Sequence, residues 1–222
     1  PVQLAFKYLN YYRKASNGKG HGIHSPFLFE FVEEVLNDKR KFYAYHQIES
    51  IRRDLLTDDR ELTIEDFGAG SHTGLTKKRQ VKAIASSSLK PKKFSQLLFR
   101  MVDHYQPKNI LELGTSLGIT TSYLASAKTD AQVTTMEGSS AIANVAKQNF
   151  KSLELKNIDV VQGNFDETLS STISNLTSID LAFLDGNHRY LPTINYFNEV
   201  TDSFGVIVGG ARNTAGSFAF VG

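Results

Sequence analysis

The sequence predicts an α/β protein in which a doubly wound, mostly parallel sheet follows an N-terminal helical cap. Two observations carry this prediction. Apolar side chains recur at helical spacing through the first 60 residues, whereas five short apolar runs alternate with amphipathic segments between residues 108 and 209. Strands that alternate with helices across short loops form a parallel sheet covered on both faces. We place the cap at residues 1–88 and the core at residues 89–222.

Three segments of the N-terminal part and of its junction with the core have helical periodicity. Ser25 is a suitable N-cap and Pro26 a suitable first helical residue. The helical segments read "SPFLFEFVEEVL", "QIESIRRDLLTDD" and, from Pro91, "PKKFSQLLFRMVDHY". Apolar residues in each of them recur every three or four positions, which predicts amphipathic helices.

The core alternates between strands and helices in chain order. The predicted strands are "KNILELG", "AQVTTME", "IDVVQG", "IDLAFLD" and "FGVIVGG", and the intervening helices are "GITTSYLASA", "SAIANVAKQNFKSL", "FDETLSSTISNL" and "RYLPTINYFNEV". Ligands of such sheets bind beyond the carboxyl ends of the strands. We therefore look for functional residues immediately after each strand.

Composition excludes several kinds of site and partner. The 222 residues are 41% hydrophobic and include no cysteine, which excludes disulfides, thiolate metal sites and a cysteine nucleophile and fits a cytoplasmic protein. No apolar run approaches the roughly 18 residues that a membrane span needs. The first residues also lack the continuous apolar stretch of a secretory signal. We expect no membrane partner.

Two glycine-containing turns follow acidic residues, and only one has the context of a nucleotide-binding loop. In "ILELGTSLGIT", Gly114 and Gly118 lie between a buried strand and a helix, whose free N-terminal N–H groups favour a ligand. Glu137 ends the next strand, where a carboxylate can accept hydrogen bonds from ribose hydroxyls. The spacing differs from the G-x-G-x-x-G of dinucleotide folds. Glu112, before the turn, would repel phosphates but could orient an amino group or a bound water.

The second turn, "IEDFGAGSHTG" at residues 64–74, lacks that context. The preceding "TDDREL" is too polar for a central strand, and "KKRQVKAI" follows instead of an apolar helix. We expect a loop of the cap near the substrate entrance. An ordinary surface turn, in which glycine supplies positive φ, is an equal alternative.

Four ordered motifs between residues 90 and 209 resemble those of class I S-adenosylmethionine (SAM) methyltransferases. "LELGTSLGITTSYLA" resembles motif I in the E-x-G-x-x-x-G form of catechol- and caffeoyl-CoA-type O-methyltransferases. "TTMEGSSAIANVAKQNF" is similar to the second motif, and "VVQGNFDETL" to the segment that borders the adenine. "IDLAFLDGNHRYLPTINYF" resembles the fourth motif, in the D-G-x-H-x-Y form of related bacterial methyltransferases.

The resemblance implies a Rossmann-like core and a SAM cofactor. The cofactor residues that it implies are Glu112, Gly114, Thr115, Ser116, Gly118, Thr120, Glu137, Gly138, Gly163, Asn164, Phe165 and Asp185. Asp185 and His188 would act on the acceptor, His188 as a general base because its ordinary pKa is about 6.5. The alternatives are that Asp185 only caps its loop and that His188 only bonds within it.

A divalent metal such as Mg²⁺ stays an alternative. In metal-dependent relatives the residue at position 185 binds a cation that holds the substrate oxygen. Gly209 and Gly210 stand where those relatives place a second ligand, and "ARNTAGSFAFVG" is too short for the family's last helix and strand pair, so we expect shortened C-terminal strands. His21 and His24 without a placed carboxylate form a poor metal site.

The basic residues between positions 67 and 102 bear on the acceptor. This stretch has no acidic residue but eight Lys and Arg residues: Lys77, Lys78, Arg79, Lys82, Lys90, Lys92, Lys93 and Arg100. They could attract an anionic substrate, or form a solvated helix face. Nucleic acid fits poorly because few aromatic residues accompany them. We expect methyl transfer to an oxygen of a small molecule. The alternatives are a SAM-binding or interaction module without turnover and, third, a nucleic-acid methyltransferase that uses the basic stretch. Monomer and homodimer both stay open.

Overall fold

The structure is a computed structural model that describes residues 26–66, 75–187, 189–204, 207–208 and 218–221. The chain divides into two compact units, residues 1–40 and 41–222. In the first unit, helix α1 (Pro26–Glu30) begins at the predicted proline and is followed by a π-helical segment, Phe31–Leu36, in which Val35 is buried. The division predicted between residues 88 and 89 stays a prediction.

The other helices and the strands of the described residues belong to the second unit. Its helices are α2 (Tyr43–Thr57), α3 (Val81–Ser88), α4 (Lys92–Tyr105), α5 (Ile119–Ala127), α6 (Ser140–Ser152), α7 (Phe165–Asn175) and α8 (Tyr190–Phe204). Its strands are β1 (Glu61–Asp66), β2 (Leu75–Gln80), β3 (Asn109–Leu113), β4 (Gln132–Glu137), β5 (Ile158–Gln162), β6 (Leu181–Leu184), β7 (Ile207–Val208) and β8 (Phe218–Val221). None of the helices in the described ranges is long and apolar enough to cross a membrane.

Strands β1 and β2 form a separate antiparallel ribbon, with Glu61 opposite Gln80 and Asp66 opposite Leu75. The prediction of a loop is therefore wrong for residues 64–66. Their polarity argued against a central strand, but a two-stranded ribbon needs only one apolar face, and here Ile64 is buried while its neighbours are polar. The remainder of this turn, residues 67–74, lies outside the described residues.

The main sheet has the order β5-β4-β3-β6-β8-β7, and all its neighbouring strands are parallel. The five predicted strands are confirmed, the last of them only at residues 207–208. The terminal segment "SFAFVG" supplies β8, which lies between β6 and β7. This is the doubly wound α/β fold that the sequence predicts.

The chain reverses its direction of winding between β3 and β6. From β3 it proceeds outward through β4 and β5, and then crosses to β6 on the other side of β3. Such a switch point opens a crevice at the carboxyl ends of the two central strands. Gly114 follows β3 and Asp185 follows β6, so both residues lie at this crevice.

Two apolar clusters pack the second unit. One joins the central strands to α7 and α8, through residues such as Leu111, Leu169 and Val200. The other joins α2, α3 and α4 to α5, through residues such as Ile48, Ile84 and Tyr123. The helices at residues 43–105 therefore share one core with the helix that follows the glycine turn, and this packing holds the segment between α3 and α4 beside the crevice.

Candidate functional site

A cavity of about 830 Å³ lies at the carboxyl ends of the central strands. Its walls come from the turns after β3, β4, β5 and β6, from the β1–β2 ribbon and from the segment between α3 and α4. Seven of the predicted site residues line it: Gly114, Ser116, Glu137, Gly138, Asn164, Phe165 and Asp185. The structure thus brings together residues from four different strand ends.

The other predicted cofactor residues lie outside the cavity wall. Thr115 is buried behind the turn, where its Oγ1 lies 2.6 Å from Oγ1 of Thr135. Gly118 precedes α5, Thr120 is half-buried in that helix, and Gly163 follows β5. His188 is outside the described residues, as are His21, His24, Gly209 and Gly210.

The backbone at Gly114 approaches the turn after β6 very closely. Gly114 has φ of 103°, and a Cβ atom there would lie 2.7 Å from the carbonyl oxygen of Asp185. Only glycine combines this backbone conformation with this contact at no cost. The next glycine of the motif, Gly118, has φ of 81°, and a Cβ atom there would lie 2.6 Å from the ring of Phe150. The glycines therefore serve close packing of strand, turn and helix.

Glu137 is held in a fixed orientation at the cavity wall. Its Oε2 accepts a hydrogen bond from the backbone N–H of Ser116 at 2.8 Å, and its Oε1 accepts one from Ser139 N–H at 3.0 Å. Burial raises the pKa of Glu137, and these N–H groups oppose that rise. Each carboxylate oxygen has a second lone pair, so Glu137 can accept two further hydrogen bonds from a ligand.

Glu112 lies beneath the turn and is fully buried. Its Oε2 accepts hydrogen bonds from the hydroxyls of Thr121 at 2.5 Å and Thr135 at 2.6 Å, and its Oε1 has no partner among the described residues. Burial raises the pKa of Glu112 to about 8, although both threonines lower it. Its predicted contact with a cofactor stays a prediction, and its position beneath the turn favours a contact through water.

Asp185 forms an ion pair with Lys90 across the crevice. Lys90 Nζ lies 2.8 Å from Asp185 Oδ1, and the side chains are 24% and 12% exposed. The ammonium group also lies 6.0 Å from the centroid of the Phe183 ring. In the described ranges no three His, Cys, Asp or Glu side chains cluster as a metal site. An acid already paired with a cation does not fit a divalent metal, and we derive no step through one.

The sequence did not predict one hydrogen-bonded group of the cavity wall, Asn187 and Tyr196. Asn187 has φ of 49° and donates from Nδ2 to the hydroxyl of Tyr196 at 3.1 Å. Tyr196 in turn donates to Asp166 Oδ1 at 2.5 Å, and burial raises the pKa of Tyr196 to about 12. Asn187 and Tyr196 both line the cavity. The position of Asn187 just after the fourth core strand could have indicated that it belongs to the site, whereas the local sequence gave no such indication for Tyr196.

The basic stretch contributes three residues to the cavity wall: Lys77 and Arg79 from β2, and Lys90 from the segment between α3 and α4. Arg79 Nη2 donates to Ser87 Oγ at 3.0 Å. The absence of acids between residues 67 and 102 was a signal for this charge, but it did not indicate which of the eight residues reach the cavity. Lys92 and Lys93 are exposed and are not part of that wall.

Comparisons with known proteins show which proteins the chain resembles. Residues 111–204 match the family model Methyltransf_24, described as a methyltransferase domain. None of the curated proteins matches the chain. The fold resembles that of the methyltransferase PaMTH1 of Podospora anserina, bound to S-adenosylhomocysteine (SAH), with a TM-score of 0.54 and 17% identity over 76% of this chain and 59% of that one.

Two O-methyltransferases are similar to the same degree. The enzyme of Bacillus cereus in complex with SAH gives a TM-score of 0.52 at 19% identity, over 79% of this chain and 66% of that one. TomG of Streptomyces achromogenes, which is involved in tomaymycin synthesis and is bound to SAM, gives a TM-score of 0.50 at 17% identity, over 74% of this chain and 62% of that one. The chain spans about three fifths of the length of these structures. At these identities the likeness shows the fold. Residues 111–204 thus resemble a methyltransferase domain, and the chain has a Rossmann-like fold similar to that of these structures, which confirms the predicted resemblance to class I SAM methyltransferases.

Proposed function

We propose that this protein transfers the methyl group of SAM to an oxygen atom of a small, anionic acceptor. The observation that supports this proposal most directly is the position of Glu137. Its carboxylate ends the second core strand, lies in the cavity wall and is oriented by two backbone N–H groups. A carboxylate held in this way can accept hydrogen bonds from both hydroxyls of a ribose.

Other residues of the cavity fit a nucleoside ligand with polar substituents. Ser139 Oγ and Asn187 Oδ1 are buried at the wall and have no hydrogen-bond partner among the described residues. Buried polar atoms are normally paired, so a ligand hydroxyl or amino group would satisfy them. Phe165 adds an apolar surface, and Asn164 starts the adjacent helix. The volume of about 830 Å³ lies in the range of small-molecule sites rather than of a polymer groove.

The chain's own contribution to the reaction is position and proton removal. SAM would supply the methyl group of its sulfonium: the acceptor oxygen bonds to the methyl carbon, the C–S bond opposite breaks, and SAH is the leaving group. The cavity residues would hold the acceptor oxygen in that line and exclude water, since both effects lower the barrier. His188, which follows β6 in the sequence, would take the proton of the acceptor hydroxyl as the oxygen attacks.

The anionic character of the acceptor rests on the outer wall of the cavity. Lys77 and Arg79 reach this wall from β2. The guanidinium of Arg79 has five N–H donors, of which Nη2 serves Ser87 and the carbonyl of Ala83. The other donors suit a carboxylate or phosphate group. A cytoplasmic location and a role without nucleic acid belong to the same proposal, and monomer and homodimer stay equal alternatives.

Thermal unfolding with SAH tests the cofactor assignment. At about 100 times its Kd, a ligand of the folded state adds about 2.7 kcal/mol to the free energy of unfolding. For a chain of this size the midpoint should rise by roughly 5–10 °C. Glu137→Ala should abolish the rise, whereas Glu167→Ala should retain it because Glu167 is exposed and outside the cavity.

Turnover separates an enzyme from a binding module. We expect labelled methyl transfer from SAM to an anionic hydroxyl compound in a metabolite extract, and its loss in Asp185→Ala and in His188→Ala. If SAH stabilises the protein but no extract yields a labelled product, the chain binds the cofactor without turnover. If SAH produces no shift at this excess, the proposed function is wrong.

A further inference from the structure

Lys90 and Asp185 form a pair of opposite charges in the cavity wall. They lie on the wall with Gly114, whereas Glu137 lies at the next strand end. The cofactor proposed above has two polar ends: a ribose and a zwitterionic amino-acid group with one carboxylate and one ammonium. A cation beside an anion is the complement of such a zwitterion.

The position of Lys90 is fixed through its backbone by a buried hydrogen-bond chain. Arg52 Nη1 donates to the carbonyl oxygen of Lys90 at 2.8 Å, and Arg52 is only 9% exposed. Arg52 Nε lies 3.0 Å from Glu49 Oε1, which also accepts from the hydroxyl of Tyr123 at 2.8 Å. Pro91 also restricts the backbone of Lys90, the residue before it. These contacts hold the Lys90 side chain at the crevice before any ligand arrives.

Ser116 links this segment to the ribose side of the cavity. Ser116 Oγ lies 2.8 Å from the hydroxyl of Ser88, two residues before Lys90. The backbone N–H of the same Ser116 donates to Glu137. Ser88, in the segment just before Lys90, and Glu137 are therefore both hydrogen-bonded to one residue of the glycine turn. A single ligand that lies along the turn could contact Glu137 with its ribose and Lys90 with its other end.

The ion pair has capacity for further hydrogen bonds. An ammonium group has three donors and a carboxylate about four acceptor sites, and the contact between Lys90 Nζ and Asp185 Oδ1 involves only one oxygen of the carboxylate. Both groups can thus bind a ligand and keep their mutual contact. Charge-assisted hydrogen bonds of this kind are shorter and stronger than neutral ones.

We propose that Lys90 binds the α-carboxylate of SAM while Asp185 accepts hydrogen bonds from its α-ammonium group. This inference rests on the proposed function, because it assigns the amino-acid end of the same cofactor. Lys90 then determines the preference for a ligand with a carboxylate. A purely structural ion pair between the α3–α4 segment and β6 would give no such preference.

Binding of three ligands tests the assignment. They are SAH, its decarboxylated analogue, which keeps the amine, and 5′-methylthioadenosine, which lacks the whole amino-acid end. Dissociation constants are measured by calorimetry on the wild type, Lys90→Met and Lys92→Met. Lys92 is the matched control because it lies two residues away, is exposed and is outside the cavity wall.

The wild type should prefer SAH over the decarboxylated analogue by tenfold or more. Lys90→Met should lose that preference and should bind 5′-methylthioadenosine as the wild type does, which also shows that the variant is folded. Lys92→Met should keep the preference. The comparison forms a double-mutant cycle between the lysine and the ligand carboxylate, so it isolates their interaction.

Results that differ from these contradict either the role of Lys90 or the proposed function. A preference that persists in Lys90→Met, or that is absent in the wild type, overturns the role of Lys90 and leaves the proposed function intact. If the wild type binds none of the three ligands, the proposed function itself fails. Should Lys90→Met not fold, Lys90→Gln replaces it: it should lose the preference with unchanged 5′-methylthioadenosine binding, and a preference that persists overturns the role of Lys90.

Discussion

The two glycine turns follow similar short sequences, but the strands that precede them differ in burial and in the kind of sheet that they join. "ILELG" forms a central parallel strand in which Glu112 is fully buried. "ELTIED" forms one strand of an antiparallel ribbon in which Glu61 has a side chain that is 54% exposed. An acid and a glycine therefore do not define a nucleotide loop by themselves. What distinguishes the first turn is the burial of the strand before it.

Burial also changes what the acidic side chain contacts. Glu112 bonds two threonine hydroxyls in the interior, whereas Glu61 pairs with Lys78 across the ribbon at 3.0 Å. The first arrangement supports a turn that packs directly against Asp185. The second stabilises a surface ribbon that supplies side chains to the cavity mouth. Substitutions in the two regions should accordingly have very different effects.

The largest expected effect is that of Gly114→Ala. Its φ of 103° disfavours alanine, and the new Cβ would lie 2.7 Å from a backbone oxygen that cannot rotate away. Strain and overpacking together should lower the free energy of unfolding by about 4 kcal/mol. Denaturant unfolding measures this loss, and the remaining folded protein should bind SAH weakly.

Thr63→Ala is the matched substitution in the ribbon. Thr63 is exposed in β1, so the free energy of unfolding should change by no more than about 0.5 kcal/mol. Equal losses for Gly114→Ala and Thr63→Ala would contradict the distinction between a packed turn and a surface ribbon.

A smaller effect should appear in the pH dependence that Glu112 causes. Its folded-state pKa of about 8 lies above the ordinary value of 4.5 because the carboxyl is buried. Between these two values the folded state binds more protons than the unfolded state, so stability is highest at low pH and falls as pH rises. The slope for one such group is about 1.4 kcal/mol per pH unit.

Glu112→Gln isolates this contribution because glutamine does not titrate and can still accept from both threonines. Urea unfolding at pH 5.5 and 7.5 should show that the wild type loses about 2–3 kcal/mol more than the variant between these conditions. Parallel pH profiles for the two proteins would mean that Glu112 ionises normally, and therefore that water reaches it.

The sequence predicted the fold where burial leaves a local signature. "KNILELG" and "AQVTTME" are short apolar runs because their strands are covered on both faces, and such runs are recognisable in isolation. The β1–β2 ribbon has no such signature, since polar residues suit an antiparallel pair with one solvated face. Its pairing depends on contacts between distant residues, which local composition does not record.

The site residues likewise differ in whether the local sequence predicts them. Gly114 and Glu137 lie in motifs that resemble those of SAM methyltransferases, and both line the cavity. Lys90 was recognised only as one of eight basic residues, because its contact with Asp185 joins positions that are far apart in the chain. Arg52, which holds the backbone of Lys90, reads in the sequence as an ordinary charge of an amphipathic helix. The roles of Lys90 and Arg52 arise from contacts between distant residues, which the local sequence does not record.

The smallest effect is expected for the ion pair of the ribbon. The side chains of Lys78 and Glu61 are 72% and 54% exposed, so water and salt screen their attraction. A double-mutant cycle with Lys78→Met and Glu61→Gln should give a coupling of no more than about 1 kcal/mol, which disappears in about 1 M salt. A coupling well above this value that survives the salt would require a ribbon shielded from solvent. The contrast between the two glycine turns would then rest on which groups the acids contact, and no longer on burial.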